Sequence, residues 1–485
     1  MSNKLILQPP ARQLINGIRS IGYNFSTALS DIIDNSITAK AKEIDIFFDP
    51  LDNNPYLCIL DNGEGMNRSE LENAMTFGTD RDDRVDSFSD LGRFGLGLKT
   101  ASLSQCKELI VVSKKFGKIN AYAYEIDEIN KTNEWAARIF TESEILKLPE
   151  IQRLMDYKSG TLVIWRKFDR IEVSTNKFEA TFRKTIDEAI KHTSLVFHLF
   201  YDQINIKFNG TKVPERDPFL SQANGRTQKG REIKVGRAGQ KIIVTPYSLP
   251  YLKSLSLEEK ALLGDPKSVH DEQGFYIYRN NRLIIWGTWL KLGFRSELNK
   301  LARVKVDIPS SLDSEWSLDV KKSTAKIPDY IKDEIRIAVE DSILRSTRVY
   351  RHKGLKEQTK KFPVWTRTYD NKTKTVNYTI NLENNTIIKK LIETFDTKQK
   401  TLFMGAIKQI ENFLPRHQLQ IDQIDELNFL NTSENEDLKI IENELVNIVK
   451  SFPISTRTNI LDALLAEEAF MQLLDYRKNL IERIK

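Results

Sequence analysis

Residues 91–102 read LGRFGLGLKTAS, and the rest of the chain is organised around them. Gly92, Gly95 and Gly97 remove side chains where a backbone must approach a phosphate, and residues 98–104 have the spacing of a helix whose N-terminal N–H groups would face that anion. The stretch reads as a phosphate cradle, with Phe94, Leu96, Leu98 and Lys99 beside the glycines. It is not a Walker loop, because Leu98 separates Gly97 from Lys99, and it lacks the hydrophobic strand that precedes a dinucleotide fingerprint. Residues 79–90, just upstream, hold seven charged side chains and read as a lid.

Two earlier segments sharpen this reading. In residues 24–38, NFSTALSDIIDNSIT, the side chains Phe25, Ala28, Leu29, Ile32 and Ile33 fall on one helical face. Asp31, Asn35 and Thr38 then line the opposite stripe, one turn apart. In residues 57–66, LCILDNGEGM, a short apolar strand runs into a turn in which Gly63 and Gly65 leave the Asp61 carboxylate near bare backbone. Such a carboxylate can accept a hydrogen bond from an exocyclic amine such as that of adenine.

The three segments, in this order, resemble the Bergerat ATP-binding fold of the GHKL superfamily: gyrase B subunits, MutL proteins, ninety-kilodalton heat-shock chaperones, microrchidia (MORC) proteins and sensor histidine kinases. SDIIDNS is similar to the family's N box, DNGEGM to its first glycine box and GRFGLGLK to its second, while Ser159-Gly160-Thr161 stands in the place of the late Gly-Thr element. The resemblance implies ATP and Mg²⁺ as ligands. It assigns Asn35 to the metal, Asp61 to the adenine amino group, Gly65 with its neighbours Gly63 and Met66 to the floor under the base, Thr161 to the same pocket, and Gly95, Gly97 and Lys99 to the phosphates. ATP-hydrolysing members carry a glutamate as general base four residues before the metal asparagine; this chain has Asp31 there, which implies intact binding with slow hydrolysis.

The chain has 485 residues, enough for about three domains, and a net charge of +6 from 73 basic and 67 acidic residues, too small to announce a polyanion partner by itself. Cys58, inside an apolar strand, and Cys106, after the cradle helix, read as buried free thiols of a reducing compartment. Neither the opening MSNKLILQPPARQ nor any later apolar run has signal-peptide or membrane-span length, so a cytoplasmic protein without membrane association is expected.

Beyond the cradle, residues 108–113, 119–124 and 160–166 read as strands, and residues 178–200 as a helix with Ile186, Ile190, Val196, Phe197 and Phe200 facing in. His192 and His198 on that helix read as packed histidines. Residues 1–202 are thus expected to form the α/β ATP-binding sandwich. The alternation of residues 204–208 before Asn209-Gly210 reads as the start of a new sheet, opening a second α/β domain over residues 203–345 that closes on a helix at residues 329–344. This part is similar to the S5-like transducer of gyrase, MutL and MORC proteins, in which a loop lysine reaches the γ-phosphate; Lys321 and Lys322 are the candidates. Residues 345–361 hold seven Lys or Arg and one acid, Glu357, which suits either a solvated face or a strip gripping nucleic-acid phosphates. Residues 346–485 read as a hairpin at 362–382 followed by helices broken at Pro415 and Pro453, the place for dimer contacts or partner docking.

The resemblance implies an ATP-gated homodimeric clamp, with DNA as the expected clamped partner and a possible partner nuclease, acting in repair, silencing or defence against foreign DNA. The alternatives are a chaperone-like ATPase acting on protein clients and a nucleotide-sensing scaffold that binds ATP without turnover.

Overall fold

The computed structural model describes residues 10–20, 22–76, 97–171, 178–222, 225–236, 241–312, 316, 327–358, 364–370, 375–383, 385–413, 437–466 and 470–484. The runs LCIL, LIVV and LVIW are apolar at every position because their strands are buried on both faces. Leu57, Ile59, Leu109, Val111, Val163 and Trp165 enter the larger core, while Cys58, Leu60, Ile110, Val112, Leu162 and Ile164 enter a smaller one behind it.

The strands of this first sheet are β1 Glu43–Asp49, β2 Tyr56–Asp61, β3 Cys106–Lys115, β4 Lys118–Glu125, β5 Arg138–Ile139, β6 Gly160–Phe168, β7 Asn205–Phe208 and β8 Thr211–Lys212. They lie in the order β5-β4-β3-β6-β2-β1-β7-β8. The helices of the same region are α1 Ala11–Arg19, α2 Phe25–Thr38, α3 Arg68–Met75, α4 Gly97–Gln105, α5 Ile126–Thr132, α6 Glu142–Ile145, α7 Ile151–Asp156 and α8 Phe178–Val196. The larger core joins the sheet to α1 through α5 and α8, and Ile145, Ile151 and Leu154 close the smaller core from α6 and α7. Asn24 caps α2 by accepting from the Thr27 N–H at 2.8 Å, which satisfies a donor the helix leaves unpaired.

One assignment made from alternation is corrected. β7 and β8 do not open a new sheet; β7 pairs in parallel with β1 and extends the first one. The Asn209-Gly210 hairpin was legible, but its partner was not, because alternation fixes which face of a strand is buried and not which edge it joins.

A second sheet follows, made of β9 Gln228–Lys229, β10 Ile233–Val235, β11 Ile242–Ser248, β12 Gly274–Arg279, β13 Arg282–Thr288 and β14 Ala302–Ile308. Its order is β10-β11-β14-β12-β13, with β9 on β11. α9 Leu257–Leu263 precedes β12 in the chain. α10 Lys332–Gln358 places Ile335, Ala338 and Val339 in the core against Val244, Phe275, Ile277, Val304 and Val306. It outruns the helix expected at residues 329–344, since the basic stretch up to Gln358 contains no Pro or Gly but Gly354 and continues as helix. Tyr276, Tyr278 and Leu283 leave this sheet on its other side and pack with Leu195 of α8 and with Phe219.

Residues 1–347 form one compact unit and residues 348–485 another, the division falling within α10. The second unit holds the antiparallel hairpin β15 Trp365–Asp370 and β16 Thr375–Ile380, then α11 Thr386–Thr394, α12 Thr397–Asn412, α13 Asp437–Lys450, α14 Arg457–Leu465 and α15 Arg477–Ile484. Leu445, Val449, Leu461, Leu464, Leu480 and Ile484 form a core among the last three helices. Pro453 separates α13 from α14, while Pro415 lies outside the described residues. No helix among the described residues is long and apolar enough to cross a membrane.

Candidate functional site

β2 ends at Asp61, directly opposite Thr161 of β6, which in turn stands opposite Ser113 of β3. Three polar residues thus form a row across three neighbouring strands. Asp61 is 4% exposed; its Oδ1 accepts from the Gly63 N–H and its Oδ2 from the Ser36 hydroxyl, each at 2.9 Å. Burial outweighs these donors and pushes the carboxyl up to about 6. Ser113 Oγ lies 3.0 Å from Thr161 Oγ1 and accepts from the Met66 N–H at 2.8 Å, while Ser159 donates to the Gly63 carbonyl at 2.8 Å. The turn after β2 is therefore strapped over the ends of β3 and β6.

Gly65 is the residue that lets the turn lie so close. Its φ is +62°, and a Cβ there would stand 2.1 Å from the Lys114 carbonyl oxygen, so neither the conformation nor the space admits a side chain.

α2 supplies the other wall. Its polar side is mostly buried, with Ser30, Asp31, Asp34 and Ser36 all under 9% exposed, yet Asn35 in their midst is open to solvent. Asp31 Oδ2 accepts from the Tyr23 hydroxyl at 2.9 Å, and a Cβ on Gly97 would come 3.9 Å from that same oxygen. The N-terminus of α4 therefore meets α2 at Asp31, joining the end of the glycine-rich stretch to the carboxylate helix.

Lys99, the residue expected to meet a phosphate, has carbonyl partners in the structure. It is buried, and its ammonium donates to the carbonyls of Ala74 at 2.7 Å and Thr76 at 2.8 Å, at the C-terminal end of α3. A buried ammonium requires acceptors, and the last carbonyls of a helix offer them. Leu98 packs partly buried against the core. Gly92, Phe94, Gly95, Leu96, the lid at 79–90, and Lys321 and Lys322 lie outside the described residues.

The two histidines are packed. His192 Nδ1 lies 3.1 Å from Ser30 Oγ, with the ring edge-on to Trp286 at 5.5 Å, and His198 Nε2 lies 2.7 Å from the Tyr278 hydroxyl. Burial holds both down at about 3, so both are neutral at ordinary pH. Cys58 and Cys106 are buried free thiols.

The structure thus brings Asp61, Gly63, Met66 and Thr161 together at the end of β2, and Asp31 and Asn35 share α2, with Gly97 close to Asp31. It adds Ser36, Ser113 and Tyr23, which motif reading missed because each acts through a partner at least eight residues away. A nucleotide fits this donor set. A further donor would find Asp61 already oriented, a base would lie on side-chain-free backbone at Gly65, and Asn35 would offer a neutral oxygen of the kind magnesium takes.

Comparison with known proteins agrees. The family described as histidine kinase-, DNA gyrase B- and HSP90-like ATPases matches residues 23–161, the interval from Tyr23 through Thr161. This segment is a GHKL ATPase domain. ATPase morc-1 of Caenorhabditis elegans is 35% identical over 95 residues, which is 20% of this chain and 11% of that protein. ATPase MORC2B of Mus musculus is 37% identical over 91 residues, 18% and 9% of the two chains, and ATPase MORC2 of Homo sapiens is 34% identical over 91 residues, with the same shares. The match spans about a tenth of the length of these relatives.

Proposed function

We propose that the chain is a magnesium-dependent ATPase of slow turnover that uses ATP to associate two copies into a clamp on DNA. The observation that carries the nucleotide reading is Asp61, buried, oriented by Ser36 and Gly63, and set beside a backbone floor at Gly65 that excludes any side chain. Adenine is held by Asp61, with Gly63, Gly65, Met66 and Thr161 around it, and Asn35 holds Mg²⁺, which when bound neutralises the phosphate charge. Asp31 acts as general base toward water. With one oxygen accepting from Tyr23, and a side chain one methylene shorter than glutamate, it positions that water poorly, which keeps turnover slow.

The clamp rests on the family resemblance and on the basic run at residues 345–361. Calorimetry with ATP tests the site: binding that requires Mg²⁺ in the parent and weakens at least tenfold in Asn35→Ala is expected, and undiminished binding in that variant defeats the assignment. A non-hydrolysable ATP analogue should raise the mass in analytical ultracentrifugation. A mass that stays fixed sinks the clamp.

A further inference from the structure

The hairpin β12–β13 turns through Asn280 and Asn281, with φ of +49° and +65°, the paired left-handed residues of a tight two-residue loop. Arg282 is the first residue after that loop. It is 6% exposed at the side chain, and its Nε donates to both oxygens of Asp34, at 3.2 and 3.1 Å, while Asp34 is 2% exposed. Its Nη1 donates to the Leu283 carbonyl at 2.7 Å, and its guanidinium stands 5.4 Å from the centre of the Phe197 ring. A guanidinium from the second sheet therefore reaches across the junction and closes on the helix that carries the nucleotide-site residues.

We infer that Arg282 is a positioning residue for the ATP site: through Asp34 it fixes the rotation of α2, and so the places of Asp31 and Asn35. The inference rests on the nucleotide reading given above. Asp34 is three residues after Asp31 and immediately before Asn35, so a force on Asp34 turns both. A desolvated pair is expensive to bury and gains little stability over an apolar substitute, so what it provides here is placement. Other ties of α2 run through Tyr23 to Asp31, Ser36 to Asp61 and Ser30 to His192. The Asp34–Arg282 pair is the hydrogen-bonded tie shown from α2 to the second sheet. Side-chain oxygens stand roughly 5 Å from a helix axis whose Cα radius is about 2.3 Å. A turn of about 10° then moves them by roughly 1 Å, a misplacement that costs about 100-fold in rate.

The test uses the full chain with Arg282→Met, Arg282→Lys and the double variant Asp34→Asn/Arg282→Gln. Steady-state ATP hydrolysis gives kcat and KM, calorimetry gives the Kd of a non-hydrolysable analogue, and circular dichroism reports folding. Arg282→Met, which keeps the stem and removes the donor, is expected to lower kcat about 10- to 100-fold and to raise Kd by a smaller factor, because adenine is held by Asp61 on β2 while Asn35 moves with α2. Arg282→Lys, whose ammonium extends past the Nε position and forgoes the bond to the Leu283 carbonyl, should lower kcat about three- to tenfold. In the double variant the introduced amide, standing where the arginine Nε stood, can donate to the amide oxygen at position 34, so the tie is remade without charge and most of kcat should return, which a residue serving stability alone would not show. A folded Arg282→Met with parental kcat overturns the inference. Should that variant not fold, parental kcat in Arg282→Lys overturns it equally. If the parental chain binds no ATP, the nucleotide reading fails first and this inference with it; if the parent binds and turns over ATP while the Arg282 variants match it, this inference alone fails.

Discussion

Asp61→Asn should make the free protein more stable while removing its ligand. In the folded chain the carboxyl sits at about 6 against an ordinary 3.8. This difference of about two units corresponds to roughly 3 kcal/mol that ionisation costs the folded state at neutral pH. The sign follows from the raised value. Asp61's contribution to stability is fully present below pH 3.8 and is lost as pH rises through 6, where the folded chain must ionise a carboxyl that the unfolded chain has already ionised. An asparagine can replace the hydrogen bonds to Gly63 and Ser36. Its oxygen can accept from the Gly63 N–H, and its amide can donate to Ser36 Oγ if the serine turns its proton to the Ile32 carbonyl, already 3.4 Å away. That rearrangement costs about 1 kcal/mol. Urea unfolding of parent and variant at pH 4 to 8 should therefore show the variant gaining about 2 to 3 kcal/mol relative to the parent across that range. Over the same range, parental ATP affinity should weaken as pH falls through 6, and the variant should bind at least tenfold more weakly at pH 7. A difference that stays flat with pH would refute the burial argument, and undiminished ATP binding would refute the role.

Gly65→Ala combines a left-handed backbone with a Cβ 2.1 Å from the Lys114 oxygen. It should cost about 2 to 4 kcal/mol in thermal unfolding and abolish ATP binding; an alanine variant as stable as the parent contradicts the turn geometry. Asp31→Ala should eliminate a turnover already low, and Asp31→Glu should raise it or leave it equal, with ATP affinity little changed in both; hydrolysis at the parental rate in Asp31→Ala shows that the base lies elsewhere. For DNA binding over a salt series, reversing Arg348, Arg351, Lys356, Lys360 and Lys361 together should weaken affinity and flatten the slope by about 0.9 for each phosphate no longer neutralised. Arg345→Glu alone should do less, because Arg345 already holds Asp341 at 2.8 Å. An unchanged slope would favour a protein client.

What the sequence made legible is local. The helix within residues 24–38, the turn after β2 and the apolar strands each depend on residues within a few positions of one another, and the structure has them where spacing puts them. What stayed hidden depends on partners far along the chain. Lys99 lies within a motif that implies phosphate, but it is held by carbonyls at the end of α3, 23 and 25 residues away. β7 joins β1 across more than 150 residues, and Arg282 meets Asp34 across 248. Nothing in the pattern around either end announces the other.

The amphipathic reading of α2 was right about the apolar face and incomplete about the other. A surface helix has a polar face because that face meets water. Here much of the polar face is itself enclosed: Ser30, Asp31, Asp34 and Ser36 are buried, while Asn35 and Thr38 are open. Each buried group is accounted for by a bond, to Ser26, Tyr23, Arg282 and Asp61 respectively. A helix surrounded in this way cannot slide or turn without breaking several hydrogen bonds in a poorly solvated setting, where an unmade bond costs about 1 to 3 kcal/mol. The exposed asparagine is thus mounted on a well-tied helix, which suits the metal-ligand role proposed for it. The constraint comes from both sheets, so the geometry at Asn35 depends on the second sheet staying where Arg282 holds it.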